Sequence, residues 1–424
     1  MQKSFANNPW SWIPSLYFVQ AIPYVVVMSL SVIIYKDFGI SNTDIAFYTS
    51  WLYLPWVIKP LWSPFIDMFR TKRWWTVSMQ FVVGAALASV ALTTHLPAFF
   101  QISLAILWLM AFSSATHDIA ADGLYMLALP QDKQAAFVGV RSTFYRLANI
   151  AGQGLLVYLA GQITERTGDV GYAWSVVLYI LAGMFLALCV YHLTVLPRPA
   201  SDQPVVQTDN YFKEFFTTFV LFFKRKDILL VLGFILTFRL GESQLIKLVV
   251  PFLKDPVAKG GLGLSTSDVG WVYGTVGVLF LTLGGLLGGY LISKIGLKRA
   301  LWLMVFAVHT PDLAFVYLAT ALPQDLLTIS VCIALEQFGY GFGFAALLMY
   351  MIMVADGAHK TAHYAICTGL MAAGMMLPGF YSGQIQEWLG YPHFFMYVCL
   401  MTLPAFLMAA LVKIDPEFGK APAK

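Results

Sequence analysis

The sequence predicts an all-α polytopic membrane protein, and its composition, its hydropathy and the recurrence of long apolar stretches all indicate that fold class. Of the 424 residues, 59% are hydrophobic and 11% are charged. About one-quarter of the residues in a soluble protein are charged, so this chain has too little charge to cover a soluble surface. The mean hydropathy is +0.72, and stretches of about 20 mostly apolar residues, long enough to span a bilayer, recur from end to end.

Twelve apolar stretches predict twelve transmembrane helices in two groups of six. The one long polar break runs from Pro197 to Asp227. We therefore expect an N-terminal six-helix bundle at 1–196, a cytoplasmic linker at 197–226 and a C-terminal six-helix bundle at 227–424. The predicted helices cover residues 11–35, 42–66, 74–94, 98–129, 137–163, 172–196, 227–253, 268–292, 300–320, 326–354, 361–384 and 392–413.

The linker ends in an aromatic-rich stretch from Tyr211 to Lys226 that finishes in Lys-Arg-Lys. This stretch is too short and too closely flanked by charge to span a bilayer. We expect an interfacial amphipathic helix on the inner leaflet, with its basic end near the lipid phosphates. Such a helix would tether the two bundles while letting them rock.

The distribution of basic residues predicts the orientation. With both termini on the inside, seventeen of the 26 Lys and Arg residues fall in inner segments and four in outer ones, and the other five lie within spans. Inner loops carry the excess of Lys and Arg in membrane proteins. We therefore expect a multi-pass protein of the inner membrane with cytoplasmic termini. Its first apolar segment lacks a cleavage site and is expected to remain as a helix.

Ionisable residues within the predicted spans indicate transport. Charges that face hydrocarbon cost several kcal/mol, so ionisable groups at this depth usually line an ion or solute path. We expect proton coupling at the acidic residues Asp118, Asp122, Glu242 and Glu336. We expect solute binding at Gln20, Tyr24, Trp51, Lys59, His117, Arg146, Arg239 and Gln244.

Asp118 and Asp122 are four residues apart, so they share one face of a helix. An apolar setting favours their protonated form, and a nearby Lys59 or Arg141 favours the ionised form, so an anionic solute could switch the proton on or off. The alternative is that these acids merely neutralise the basic residues as a fixed structural cluster. His117 could relay protons or contact the solute, or it could be a satisfied packing residue.

Arg141 and Arg146 are five residues apart, which places them about 140° apart around a helix. We therefore expect one of them, rather than both, to face a cavity. Arg146 is assigned to the solute, where its guanidinium suits a carboxylate or phosphate, and Arg141 is assigned to a gate near the inner end of its span.

Two features of the second half leave alternatives open. Arg239 and Glu242 could form an intrahelical pair, or the helix could open at Gly241 and expose its backbone and Gln244 to the solute. The glycines at 284–285 and 341–343 are more consistent with close helix approach than with phosphate binding, since no strand precedes them.

An internal repeat relates the two halves. The segment from Trp62 to Arg73 aligns with the segment from Gly288 to Arg299 at an offset of 226 residues, and both end in Lys-Arg. The acidic-then-basic loop of the first copy, with Asp67, Arg70, Lys72 and Arg73, resembles the signature of the major facilitator superfamily. That resemblance implies a cytoplasmic latch, so these four residues are assigned, with Arg141, to gating.

A more specific resemblance is carried by three motifs of the first half. They are Lys59-Pro60-Leu61-Trp62-Ser63-Pro64, the run Thr116-His117-Asp118-Ile119-Ala120-Ala121-Asp122, and Tyr145-Arg146-Leu147. Together they resemble the AmpG-type muropeptide permeases and the related acetyl-coenzyme A transporters. The resemblance implies proton-coupled import of anhydromuropeptides by alternating access. This chain departs from the pattern at His117, where those families carry Gln.

The expected partners are a small-molecule solute, protons and the lipid bilayer, with no nucleic acid and a monomeric state. His, Cys and acidic residues do not fall at metal-ligand spacing, and we identify no nucleophile constellation, so neither a cofactor, a metal nor an enzyme is expected. The alternatives are a facilitator of another anionic solute, such as a peptide, an acyl-CoA-like molecule or a drug, a membrane-embedded enzyme, and a scaffold of the same fold.

Overall fold

The computed structural model describes residues 8–129, 131–204, 211–355 and 360–420, which are almost entirely helical. From the N-terminus to the linker the α-helices are α1 (Ile13–Val25), α2 (Ser31–Asp37), α3 (Asn42–Trp51), α4 (Leu54–Met68), α5 (Lys72–Thr93), α6 (Phe99–Ala128), α7 (Gln131–Asn149), α8 (Val157–Thr167) and α9 (Val170–Val195). The π-helical segments Val26–Leu30 and Ile150–Leu156 join α1 to α2 and α7 to α8.

The remaining helices follow the linker. They are α10 (Tyr211–Phe223), α11 (Ile228–Thr237), α12 (Leu240–Lys254), α13 (Thr266–Val269), α14 (Val278–Ile295), α15 (Leu297–His309), α16 (Leu313–Ala321), α17 (Leu326–Val354), α18 (Lys360–Met401) and α19 (Leu403–Leu411). The π-helical segment Gly270–Gly277 joins α13 to α14, and a 3₁₀ turn, Thr310–Asp312, joins α15 to α16.

The helices match the twelve predicted spans. Within the described residues, nine helical stretches are long and apolar enough to cross a membrane, and the last of them, His363–Leu411, is 49 residues long. It bends at Gly390, whose φ is 72° and ψ is 164°, so it comprises two spans. The other two predicted spans are the α3–α4 and α7–α8 stretches, each of which is divided into shorter helices. The predicted all-α fold of twelve helices is therefore confirmed.

Contacts group the chain into two units. The first contains residues 1–38 and 61–208, and the second contains residues 39–60 and 209–424. Residues 39–60, which come from the first half of the sequence, therefore pack with the second half. The division at 197–226 by sequence order stays a prediction.

The first unit buries a core between α1, α6 and α9. Trp12, Leu16 and Tyr17 pack with Leu124 and Tyr125, and each of these side chains is at most 2% exposed. Because α1 and α6 meet through this core, the polar residues one turn away on both helices are brought together.

In the second unit, glycines let α14 and α17 approach closely. A Cβ atom at Gly284 would lie 2.1 Å from the carbonyl oxygen of Phe338, and one at Gly341 would lie 2.0 Å from that of Leu281. A side chain at either position would push the helices apart. The prediction that these glycines serve helix approach is confirmed.

The linker is attached at both ends. The carboxylate of Asp202 accepts hydrogen bonds from the backbone N–H groups of Lys72 and Arg73, at 2.7 and 3.1 Å, at the start of α5 in the first unit. In the second unit, Phe222 of α10 is fully buried in the core. The predicted helix is present, and its place on the inner leaflet stays a prediction.

The internal sequence repeat is also visible in the backbone conformation. Arg70 has a φ of 65° and lies two residues before α5, and Gly296 has a φ of 82° and lies directly before α15. These two positions are 226 residues apart, which is the offset of the sequence repeat. Both copies therefore turn the chain through a positive-φ residue, which is unfavourable for Arg and permitted for Gly.

Candidate functional site

The candidate site is a pocket of about 330 Å³ in the first unit. Its walls come from α1 and α7, which pack against each other. The lining residues are Tyr17, Gln20, Arg141, Tyr145 and Arg146. Two guanidinium groups therefore face a cavity that also presents tyrosine rings and an amide.

A charged cluster forms one side of the pocket. Asp122 accepts a hydrogen bond from Nη2 of Arg141 at 2.7 Å and another from the hydroxyl of Tyr17 at 2.9 Å. The guanidinium carbon of Arg141 lies 4.1 Å from the ring centroid of Tyr17 and 4.4 Å from that of Tyr125. The ion pair and the two cation–π contacts hold Arg141 in place.

This ion pair is partly open to solvent. The side chain of Asp122 is 40% exposed and that of Arg141 is 27% exposed. A second anion entering the pocket can therefore reach Arg141 and compete with Asp122 for its donors. A fully buried pair would leave no room for that competition.

The expectation that one arginine rather than both would face the cavity is wrong. Both Arg141 and Arg146 line the pocket, although they are five residues apart on α7. The angular argument fails because both side chains are long enough to reach the same pocket. Arg141, which the sequence analysis assigns to a gate, lies on the pocket wall, and its gating role stays a prediction.

Gln20 contributes an unsatisfied acceptor to the pocket. The residue is 7% exposed, and its Oε1 atom is buried with no hydrogen-bond partner among the described residues. A buried polar atom without a partner is costly, so this oxygen is available to a donor on a solute. Tyr24 lies one turn further along α1 and is half-buried.

The other polar residues of the predicted face are divided between the two units. Asp118 is half-buried on α6 in the first unit. Lys59 is half-buried on α4 and belongs to the second unit. The partner that the structure gives to Asp122 is Arg141. The roles assigned to Asp118 and Lys59 stay predictions.

His117 belongs to a buried polar network. The amide nitrogen of Gln80 donates to Nε2 of His117 at 3.0 Å, and its oxygen accepts from Nδ1 of His192 at 2.8 Å. The hydroxyl of Ser15 lies 2.9 Å from Nε2 of His192. His117 is therefore held in a polar network with a side chain only 3% exposed, and its roles toward solute and protons stay predictions.

The predicted gating loop is anchored by its basic residues. The guanidinium of Arg73 donates to the backbone carbonyls of Leu193 and Leu196. Lys72 lies against Gly123 of α6, where an added Cβ would meet its Cε at 3.1 Å. Arg70 is exposed near the ring of Trp74. The side chain of Asp67 is outside the described residues.

In the second unit the helix is interrupted just before Gly241, the residue at which one of the two alternatives placed an opening. Helix α11 ends at Thr237 and α12 begins at Leu240, with Arg239 at φ −112° and ψ 20° between them. Gly241 is packed: a Cβ there would lie 2.9 Å from the carbonyl oxygen of Val398. An opening at Gly241 is therefore wrong, because that glycine serves close packing.

Gln244 and Trp51, both assigned to the solute, lie in the second unit. Gln244 is 2% exposed, and its amide donates to the carbonyl oxygen of Leu240 at 3.1 Å. Trp51 is 38% exposed and its ring centroid lies 4.8 Å from that of Phe380. Sequence reasoning missed Asp202, Gln80 and His192; for the last two, the available signal was a polar residue inside an apolar stretch.

Comparison with known sequences finds transporter relatives. The family model of the Major Facilitator Superfamily matches residues 15–243. The anhydromuropeptide permease of Escherichia coli (strain K12) is 24% identical over 372 residues, which cover 86% of this chain and 72% of that protein. A Rickettsia conorii protein that bears the name AmpG 4 is 24% identical over 406 residues, covering 92% of this chain and 93% of that protein.

Comparison with solved structures finds the same fold in other transporters. The nucleoside transporter NupG superposes with a TM-score of 0.71 at 15% identity and covers 95% of this chain and 98% of its own. A POT family transporter solved with 5-aminolevulinic acid superposes with a TM-score of 0.68 at 12% identity and covers 95% and 96%. At these identities the likeness concerns the fold alone.

Proposed function

Since the chain belongs to the major facilitator superfamily and is a multi-pass membrane transporter, we propose that it imports an anionic, sugar-containing cell-wall fragment of the anhydromuropeptide class together with protons. The resemblance to AmpG-type permeases, confirmed by relatives at 24% identity over most of the chain, supports this solute class. We further propose that the protein lies in the inner membrane with both termini in the cytoplasm.

The observation that carries the proposal is the pocket lined by Arg141 and Arg146. An arginine fork binds a carboxylate or phosphate through two parallel hydrogen bonds. Tyrosine rings offer flat faces to the apolar side of a sugar, and the free oxygen of Gln20 accepts from a hydroxyl or amide N–H. These groups suit a solute that carries a carboxylate, a sugar and amides.

The ion pair at the pocket wall gives a mechanism for coupling. A solute carboxylate that binds Arg141 displaces Asp122, which then lacks its counter-charge and takes up a proton. Asp118, one turn away on the same helix face, is the second candidate to load a proton from the outside. The two bundles then rock, solute is released inside, and loss of the proton restores the pair between Asp122 and Arg141.

The runner-up function is transport of another anionic solute, such as a peptide, an acyl-CoA-like molecule or a drug. The same guanidinium pair would bind a phosphate as well as a carboxylate, and the resemblance to acetyl-coenzyme A transporters favours this alternative. The difference between the two functions lies in the amino sugar of the cell-wall fragment, which only the first requires.

Uptake of radiolabelled anhydromuropeptide into membrane vesicles tests the proposal. We expect accumulation that rises with an inward proton gradient and falls by about tenfold in Arg146→Gln, the loss of one strong charged contact. Excess unlabelled acetyl-coenzyme A and dipeptide are the competitors for the runner-up function. No uptake with or without a pH gradient would contradict the solute class.

A further inference from the structure

Three acidic side chains from separate segments meet inside the second unit. Glu242 lies on α12, Asp312 in the 3₁₀ turn before α16, and Glu336 on α17. One carboxylate oxygen of each residue lies within 4.8 Å of the corresponding atoms of the other two. Each residue is 1% exposed, so the cluster is closed to solvent.

Asp312 is the member that indicates a ligand. Both of its carboxylate oxygens are buried without a hydrogen-bond partner among the described residues, and so is Oε2 of Glu242. Oε2 of Glu336 accepts a hydrogen bond from Nε2 of Gln337 at 2.9 Å. A buried carboxylate with no donor is very costly, and this one is directed at two other acids. Packing alone gives no reason to place it there.

Among the residues that the structure describes, the charges around the cluster do not balance. Arg239 is the cation near Glu242, and its guanidinium carbon lies 5.0 Å from the ring centroids of both Tyr340 and Phe344. One guanidinium can offset one carboxylate. Two further carboxylates in a membrane interior then need protons or a bound cation, since isolated charges are not tolerated at that depth.

The other titratable groups in the described part of the chain that face the cluster do not supply a fixed positive charge. Tyr273 lies near Glu242 and Glu336, and Cys399 lies near Asp312. The hydroxyl of Tyr340 accepts from Arg239. His309, three residues before Asp312, is 4% exposed, and neither of its ring nitrogens has a partner among the described residues. An unpartnered buried imidazole favours its neutral form.

We propose that Glu242, Asp312 and Glu336 form a binding site for one small cation, Na⁺ or a proton, in the second unit. Oxygen atoms up to 4.8 Å apart can surround an ion at bond lengths of about 2.4 Å, and carboxylates that interact this closely can take up a proton as a group. The coupling of this cation to solute movement rests on the proposed function, whereas its binding does not.

Binding of radioactive Na⁺ to the purified full-length protein in detergent tests the site without any solute. The variants are Asp312→Asn and Glu336→Gln, which keep the shape of the side chain and remove a repelling charge, so they are expected to fold. Glu387→Gln, at an exposed position of the same unit, is the matched control. If Na⁺ is the ligand, both cluster variants bind it about tenfold more weakly or worse, and the control binds it as the parent does.

The pH dependence of the melting temperature in Na⁺-free buffer tests whether the bound cation is a proton. If the native cluster holds a proton that the unfolded chain releases, stability is greatest at low pH and is lost as the pH rises. We expect that loss in the parent protein and in Glu387→Gln, and a flatter pH dependence in Asp312→Asn and Glu336→Gln. Choline chloride replaces NaCl in this measurement, so that the ionic strength is the same with and without Na⁺.

Each outcome decides the proposal. Loss of Na⁺ binding in the cluster variants identifies Na⁺, and a flattened pH dependence without Na⁺ binding identifies the proton. If both cluster variants match Glu387→Gln in both measurements, the cation site is overturned. Because neither measurement contains a muropeptide, absence of uptake with the cation site intact would overturn the proposed function alone.

Discussion

Asp122 is the residue at which binding and proton transfer can compete. It holds Arg141 at 2.7 Å and accepts from Tyr17 at 2.9 Å, yet its side chain is 40% exposed. An exposed ion pair contributes little to stability, at most about 1 kcal/mol. Asp122 is exposed beside the pocket that Arg141 lines, which agrees with the proposed exchange with a solute anion.

The substitution Asp122→Asn separates solute binding from proton transfer. The amide cannot carry the proton and no longer neutralises Arg141, so we expect solute binding to be retained while accumulation driven by a pH gradient falls to simple equilibration. Isothermal titration calorimetry measures solute binding, and uptake into proteoliposomes measures gradient-driven accumulation. The control is Asp44→Asn, at an exposed carboxylate. Full gradient-driven accumulation in Asp122→Asn would assign Asp122 a structural role.

At the scale of helices, the contact between α14 and α17 depends on glycine. A Cβ atom at Gly288 would lie 2.3 Å from the carbonyl oxygen of Phe342, whereas one at its neighbour Gly289 meets no described atom within 4 Å. The two positions therefore provide a matched pair of substitutions on one helix.

Gly288→Ala should lower the free energy of unfolding by about 1–3 kcal/mol, since the added methyl group forces the helices apart. Gly289→Ala should leave it unchanged or raise it by up to about 1 kcal/mol through helix propensity. Thermal unfolding, monitored by tryptophan fluorescence, compares the stabilities of the two variants. Equal effects of both changes would mean that the close approach at Gly288 does not limit stability.

The start of α9 gives a pH-dependent prediction. The carboxylate of Asp169 accepts from the backbone N–H of Tyr172 at 2.8 Å and lies 3.4 Å from Nε2 of His95. The hydrogen bond from Tyr172 is the main cause of its lowered pKa. A lowered folded-state pKa contributes stability above the unfolded-state pKa, and that contribution is lost as the pH falls through the folded value.

Asp169→Ala should therefore lower the melting temperature at neutral pH, and the difference from the parent protein should shrink as the pH falls through the lowered pKa of Asp169. Asp169→Asn keeps a good helix cap and should show a smaller loss with less dependence on pH. A difference between Asp169→Ala and the parent that is constant from neutral to acid pH would rule out the carboxylate as its source.

At the scale of the whole molecule, the helices and the repeat could be predicted because apolar length and loop charge are properties of consecutive residues. Arg70 and Gly296, 226 positions apart, show the repeat in the backbone as well. The anchoring of the linker by Asp202 could not be predicted, since a capping contact between segments 130 residues apart leaves no local pattern.

The candidate site, like the fold, could be predicted only in part from the sequence. Gln20, Asp122 and Arg146 were recognisable as polar residues in apolar stretches, and the structure places all three at or beside one pocket. The inclusion of Arg141 in that pocket depends on the reach of its side chain toward Tyr17 and Asp122, which residue spacing does not reveal. Asp312 could not be assigned, because its partners Glu242 and Glu336 lie on helices that only tertiary packing brings together.

The measurement that tests the central claim most directly is the pH inside proteoliposomes when anhydromuropeptide is added outside with no imposed gradient. If solute entry carries protons, the lumen acidifies with the parent protein. It stays unchanged with Asp122→Asn and when a neutral sugar replaces the muropeptide. Entry of labelled muropeptide through the parent protein with no change in internal pH would contradict proton-coupled import.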